Sequence, residues 1–331
     1  MKKSLISLVC AILLLPAATY AEPVATWVDT SFPSGENINL MAYYHGYFYT
    51  SGSNENGKGV SWEYFDNKWK MIYQANDDSV IVDTAIVADK FYVAGNYPGK
   101  GSWVIEYIAD KHKPQDLKFN SASHISRIEN LRDILFVSGS DYNDHGAVWV
   151  SSKPKRWVKI SPKGYNYISE MTIAPNELLY AAAIDSKTSK ARVLEYSDIT
   201  KKWHDTYLPR EIVTVWSLIS DKNNIIYAGG LDNNYRAQVW KYANHKWVSL
   251  KLDNAQSLSS LIVDKDGNLF AAGKDDKFHG QVWRYVNEKW ESLNFPPCDN
   301  VNSLTINNES QLFATSKDNK NYSKVWKFTL P

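Results

Sequence analysis

The chain has 331 residues, a net charge of +1, 14% aromatic and 22% charged residues, the composition of a β-rich globule rather than a disordered or fibrous chain. A near-neutral balance with no basic run supplies no long-range field for recruiting nucleic acid or an anionic membrane. No nucleic-acid partner is expected.

Residues 1–21 read as a secretory signal peptide: Lys2-Lys3, the apolar run Leu5–Leu15, then Pro16 and Thr19-Tyr20-Ala21 ahead of Glu22. The apolar run is shorter than the roughly 20 residues that cross a bilayer, so cleavage is expected, with no stable membrane insertion afterwards. Val9 before Cys10 departs from a lipoprotein box. Cleavage leaves 35 basic and 36 acidic residues and Cys298 as the lone thiol, so the mature chain holds no internal disulfide. Export to the periplasm or the extracellular medium follows.

Residues 22–331 form a single repeating unit. Ala25-Thr26-Trp27-Val28-Asp29-Thr30 opens it and resembles Lys246-Trp247-Val248-Ser249-Leu250, the last strand of a later copy. Seven copies follow, each with a small residue closing an apolar run and a Trp-like position about ten residues on: Trp62, Ile105, Trp149, Leu194, Trp240, Trp283 and Trp326. The steps between them are 43, 44, 45, 46, 43 and 43 residues, the period of a propeller blade. The sixth copy shows the strands: Ser259–Val263, the turn Asp264–Asn268, Leu269–Ala272, Gln281–Tyr285, the hairpin Val286–Lys289 and Trp290–Leu293. The turn beginning at Asp264 lacks the later ligands of a calcium loop. The chain ends at Val325-Trp326-Lys327-Phe328, one strand short. The expected fold is all-β, a seven-bladed β-propeller of four-stranded antiparallel blades whose N-terminal strand completes the last blade and covers its edge.

An apolar strand ending in Gly, then a Tyr and a Trp on the next two strands, as in Ile226-Tyr227-Ala228-Gly229-Gly230, Tyr242 and Trp247, resembles the kelch repeat family. Tyr196 and Trp203 repeat the pairing. The resemblance covers residues 25–331, with only one double Gly and a Tyr-to-Trp gap of five in three copies. It implies a propeller, mostly used as a binding platform and occasionally as an enzyme, and no particular chemistry.

Loop lengths select one face. The second-to-third-strand links, such as Leu231–Arg236 and Lys274–His279, are long and polar, and the blade-to-blade links share their side. Long loops on a rigid scaffold are where binding residues concentrate. There Asp141, Asp185, Asp232, Asp275 and Asp318 recur in five consecutive copies. They form either an acidic rim for a cation, amine or sugar, or a set of turn caps, and the repetition itself favours caps. An inner-strand position read as Met41, Thr84, Ser126, Glu170, Ser217, Ser260 and Ser303 puts one carboxylate, Glu170, at the channel, where burial raises a carboxyl pKa. Residues that break the repeat are further candidates: His124, His145, Tyr165, Tyr167, Arg210, Trp216, His279 and Cys298. Zinc-type Cys/His spacing is absent, His145 and His279 lie on non-adjacent blades, and no metal or other cofactor is expected.

Two classes of function remain. One is an exported binding or scaffold protein that engages a protein, peptide or glycan through the loop-rich face. The other is a propeller enzyme acting on a carbohydrate or small molecule in the funnel (oxidase, epimerase or lyase type), with Glu170 as its candidate acid or base. No copper ligand set can be assembled around Cys298, and seven scattered Arg offer no arginine triad.

Overall fold

Short runs of alternating apolar and polar residues ended by turn-forming clusters favour antiparallel hairpins. All regular structure among the described residues is strand. The computed structural model describes residues 25–329 except 34–36, 76, 88–89, 100, 109–112, 154, 319 and 321. The leader expected over residues 1–21 lies outside them. No helix among the described residues is long and apolar enough to cross a membrane.

Seven four-stranded antiparallel sheets form a closed ring. Their inner strands, blades 1 to 7, are Asn37–Tyr44, Val80–Val87, His124–Leu131, Tyr165–Ile173, Ile212–Ser220, Ala255–Val263 and Asn300–Ile306. Blade 7 is completed by Thr26–Asp29, which pairs antiparallel with the last strand, Ser323–Thr329, Trp27 opposite Phe328. The core lies between neighbouring sheets. Between blades 5 and 6, for example, Val239, Leu258, Leu261, Ala271 and Trp283 pack together.

Each inner strand carries a β-bulge at one repeating place, shown by register shifts such as Ile125/Arg127, Ile168/Glu170, Val215/Ser217 and Leu258/Ser260. A bulge inserts one residue and breaks the period of two. Buried apolar residues therefore recur every third position, as in Ala255, Leu258 and Leu261. This is why the sixth inner strand begins at Ala255, four residues ahead of the expected start at Ser259. It also explains the small residue that ends each second strand. At Gly230 a Cβ would lie 1.9 Å from the carbonyl oxygen of Thr214, and at Gly273 2.1 Å from that of Ser257.

The outer-strand Trp joins blade to blade. Its Nε1–H donates to the link leaving the preceding blade: Trp157 to the carbonyl of Leu117 (3.2 Å), Trp247 to Oγ1 of Thr206 (3.1 Å), Trp290 to the carbonyl of Leu250 (3.0 Å) and Trp27 to that of Leu293 (3.0 Å). Trp69 and Trp203 do the same to Thr30 and Ile160. Blade 2, whose outer strand is Lys113–Asp116, has no Trp at this place. Within a blade the Trp ring also rests on a third-strand Tyr, with centroids 5.0 Å apart for Tyr242–Trp247 and 5.1 Å for Tyr196–Trp203.

Two substitutions test these contacts. Trp247→Phe keeps a benzene ring on the outer strand and removes the five-membered part of the indole with its donor; the lost hydrogen bond costs about 1 kcal/mol. Gly230→Ala drives a Cβ into the Thr214 carbonyl and is expected to cost more, about 1–3 kcal/mol. Denaturant unfolding measures both.

Candidate functional site

Two regions carry chemistry beyond what the scaffold needs: the central channel and the loop-rich face. The channel encloses a cavity of about 360 Å³ lined by inner strands of all seven blades. Counted from the buried aliphatic residue ahead of each bulge (Ile38, Ile81, Ile125, Ile168, Val215, Leu258, Val301), the aligned channel position two residues on reads Leu40, Asp83, Arg127, Glu170, Ser217, Ser260 and Ser303. The expected register is therefore corrected in the first three blades. Met41 and Thr84 lie one residue beyond the channel position and Ser126 one residue before it, because the bulge shifts the count.

The channel position of blades 2 to 4 holds a charged network. Arg127 donates through Nε to Oε2 of Glu170 (2.6 Å) and through Nη2 to Oε1 (2.9 Å), and its Nη1 lies 3.6 Å from Oδ1 of Asp83. Such bidentate pairing fixes both side chains. Asp83 also accepts the backbone N–H of Ile128 (2.9 Å). Ser217 and Ser260 accept those of Leu261 (3.0 Å) and Leu304 (3.1 Å) in the same way, so in blades 2, 5 and 6 this position ties one blade to the next. Glu129 lies two residues on from Arg127, also lining the cavity, with no ion pair among the described residues. Three carboxyls thus share one guanidinium. Burial pushes the Glu170 carboxyl up to about 7 against the pull of Arg127, and burial with repulsion from Asp83 pushes Glu129 up to about 8. Burial also raises Asp83, opposed by Arg127.

On the loop-rich face the recurring Asp residues cap their own turns. Oδ1 of Asp232 accepts the N–H groups of Asn234 (2.8 Å) and Arg236 (3.0 Å), and Oδ1 of Asp275 accepts those of Lys277 (2.9 Å) and His279 (2.8 Å). Asp141, Asp185 and Asp318 do likewise. At Asp141 burial pulls the carboxyl up, but the bonds from Lys159, His145 and Asn143 win and hold it down at about 2.

Of the repeat-breaking residues, His124 and Tyr167 meet at the channel edge, ring centroids 6.0 Å apart, with Asn96 Nδ2 3.1 Å from His124 Nδ1. Burial lowers the His124 pKa and raises that of Tyr167. His145 and Tyr165 share a shallow cleft of about 470 Å³ with Lys159 and Lys163. His279 stands apart from them, 3.8 Å from the Asp275 of its own turn. Arg210 is exposed on the link into blade 5. Trp216 occupies the bulge of blade 5, where Ser126 and Ser169 in blades 3 and 4 donate to carbonyls of the next blade. Cys298 is a correction: it is buried between blades 6 and 7 against Gly280, in the core rather than on the face, and burial pushes its thiol up to about 11.

Sequence reasoning missed five exposed aromatics on this face: Tyr142 and Tyr322, 60% and 46% exposed, and three set apart by their backbone conformation. Tyr207, Tyr235 and Phe278 are 85%, 67% and 64% exposed, and all have left-handed backbones, with φ of 60°, 57° and 65°. Tyr235 and Phe278 fill a turn position held by Gly57, Asp144 and Ser189 in other blades. Tyr207 fills a link position held elsewhere by Ser31, Lys118, Lys251 and Asn294. The signal was present in the aligned repeats, as a bulky ring where small or polar residues stand.

The ring is similar to the WD40 β-propeller domain of Doa1, with a TM-score of 0.66 and 9% identity over 91% of this chain and 97% of that one. At that identity the likeness shows the fold alone. No protein-family model matches the chain, and no curated protein does.

Glu129→Gln tests the channel electrostatics. Glu129 keeps its proton in the folded chain up to about pH 8 and loses it near the ordinary carboxylate value when unfolded. Its contribution to stability is therefore present at low pH and lost as pH rises across that window, at up to about 1.4 kcal/mol per pH unit. Glutamine has no such proton. Its advantage over the parent chain should grow from pH 5 to 8 and then level off, read as the denaturant midpoint against pH.

Proposed function

We propose that this chain is an exported, kelch-like propeller that acts as a binding module through its loop-rich face. The aromatic set carries the proposal. A left-handed backbone costs an ordinary residue about 1–2 kcal/mol, and a bulky residue kept there is an outlier that the fold does not demand. Tyr207, Tyr235 and Phe278 keep this conformation with their rings in solvent. Nothing in the packing rewards them, which points to a ligand. The Tyr–Trp ring pairs support the kelch-like description of the repeat. The leader sequence supports export to the periplasm or beyond.

A second possibility has its own observation. Glu170 and Glu129, two carboxyls displaced toward neutrality in one cavity, are suited to general acid–base work. A propeller enzyme acting on a carbohydrate or small molecule would use them.

Tyr235→Asn and Phe278→Asn separate ring from backbone, because Asn tolerates the left-handed conformation. Each is expected to leave stability unchanged or raise it by up to about 1 kcal/mol. The pair together is expected to abolish ligand binding, scored with displayed peptide and glycan libraries. Glu170→Gln should leave that binding intact. If Glu170→Gln instead removes a turnover that the aromatic variants retain, the enzyme is the better description.

A further inference from the structure

We propose that the aromatic arc over blades 4 to 6 takes an uncharged oligosaccharide, its sugar faces resting on Tyr207, Tyr235 and Phe278. This identifies the ligand class of the binding face proposed above and rests on that proposal. Three observations select this occupant from the others a loop face can hold.

The first is charge. The loop 231–236 carries Asp232 and Arg236; the loop 274–279 carries Lys274 and Lys277 against Asp275 and Asp276. The link 206–211 carries Arg210 and Glu211, and the link 251–254 carries Lys251 and Asp253. Acids and bases are equal in each; the adjoining loop 185–190 (Asp185 against Lys187 and Lys190) and link 294–300 (Asp299) carry opposite excesses of one charge, so the arc as a whole is balanced. Such a face has no net field to steer or hold a polyanion or a strongly charged peptide.

The second is the kind of apolar surface. The exposed large side chains on these loops are aromatic, whereas the exposed aliphatics lie elsewhere: Val80 at the start of the blade 2 inner strand, Val28, Met71, Val158 and Val248 on outer strands, and Ile134 and Ile199 at hairpins of the opposite face. The core of a protein interface is a continuous patch from which charged residues are depleted. Here each ring stands alone among Asn, Asp, Arg, Lys and His. A sugar has the complementary surface, a C–H face with hydroxyls around its rim, and an aromatic ring buries large area at low entropy cost.

The third is rigidity. Each ring springs from a turn closed by its own Asp cap: the Tyr207 N–H donates to Oδ1 of Asp205 (2.7 Å), and the N–H groups of Tyr235 and Phe278 donate to the carbonyls of Asp232 and Asp275 (3.0 Å each). Sites with few contacts per ligand unit gain from such preorganisation.

The test presents the full chain and its Tyr235→Asn/Phe278→Asn variant to three sets of probes. These are uncharged hexose and N-acetylhexosamine oligosaccharides, sulfated and uronate-containing chains, and a displayed random-peptide library. The expected result is binding of uncharged chains that is insensitive to salt and at least about tenfold weaker in the variant. The variant's unfolding temperature should match or exceed that of the parent chain, which separates loss of the rings from loss of the fold. Failure of every uncharged chain to bind, or binding that the variant leaves unchanged, overturns the glycan assignment. If peptides alone are captured and the variant loses them, the loop face remains the binding surface with a different ligand. If no probe of any set depends on the two rings, both the assignment and the binding face fall.

Discussion

Seven separate sheets become one object only if each holds the next, and the indole N–H of the outer strand makes that connection around most of the ring. Trp27, Trp69, Trp157, Trp203, Trp247 and Trp290 each reach back to the link of the preceding blade. One residue type thereby fills the blade edge, rests on its Tyr and satisfies a polar group that blade packing would otherwise bury. Near the axis a second set of bonds runs the other way, from Ser126, Ser169 and Asn302 to carbonyls of the following blade. With the rim and the axis both tied, the loops between them stand on a base that does not need their help. They are free to vary, and residues there can be spent on recognition.

The same logic sorts scaffold from site. At the channel, Asp83, Ser217 and Ser260 all accept an N–H from the next blade, so a carboxylate here does what a hydroxyl does elsewhere. Arg127 and Glu170 go further, forming a buried pair inside a polar ring. Such a pair is weak evidence for stability, since desolvation offsets much of its attraction. Glu129, left without an ion-pair partner among the described residues, adds a third carboxyl to a group that has one cation to share. On the loop face the five repeated Asp caps belong to the scaffold, while the rings at Tyr207, Tyr235 and Phe278 depart from it.

The blade number, the four-stranded sheets and the closure by Trp27 are legible in the sequence because the outer and third-strand aromatics recur at nearly constant spacing. The inner strands are harder to read. A bulge adds a residue that leaves no mark in hydrophobicity, so a count by alternation slips by one. Asp83 and Arg127 then fall out of alignment with Glu170, and a network of four charged groups reads as one isolated carboxylate. Cys298 stands in a polar link and looks exposed, yet Gly280 leaves the space that its sulfur fills. Positive φ is equally silent in a single copy. It becomes readable at Tyr235 and Phe278 only when Gly57 and Ser189 are set beside them.

The pairing of Thr26–Asp29 with Ser323–Thr329 also constrains how the molecule is made. Trp27 and Phe328 are partners across almost the whole polypeptide, a sequence separation that makes loop closure entropically slow. Thr26–Asp29 is synthesised before every other described strand, yet it cannot pair until the last of them, Ser323–Thr329, has been made. Until it does, six sheets can form from local hairpins while the seventh keeps an open edge, a state in which the growing chain is most exposed to association with its neighbours.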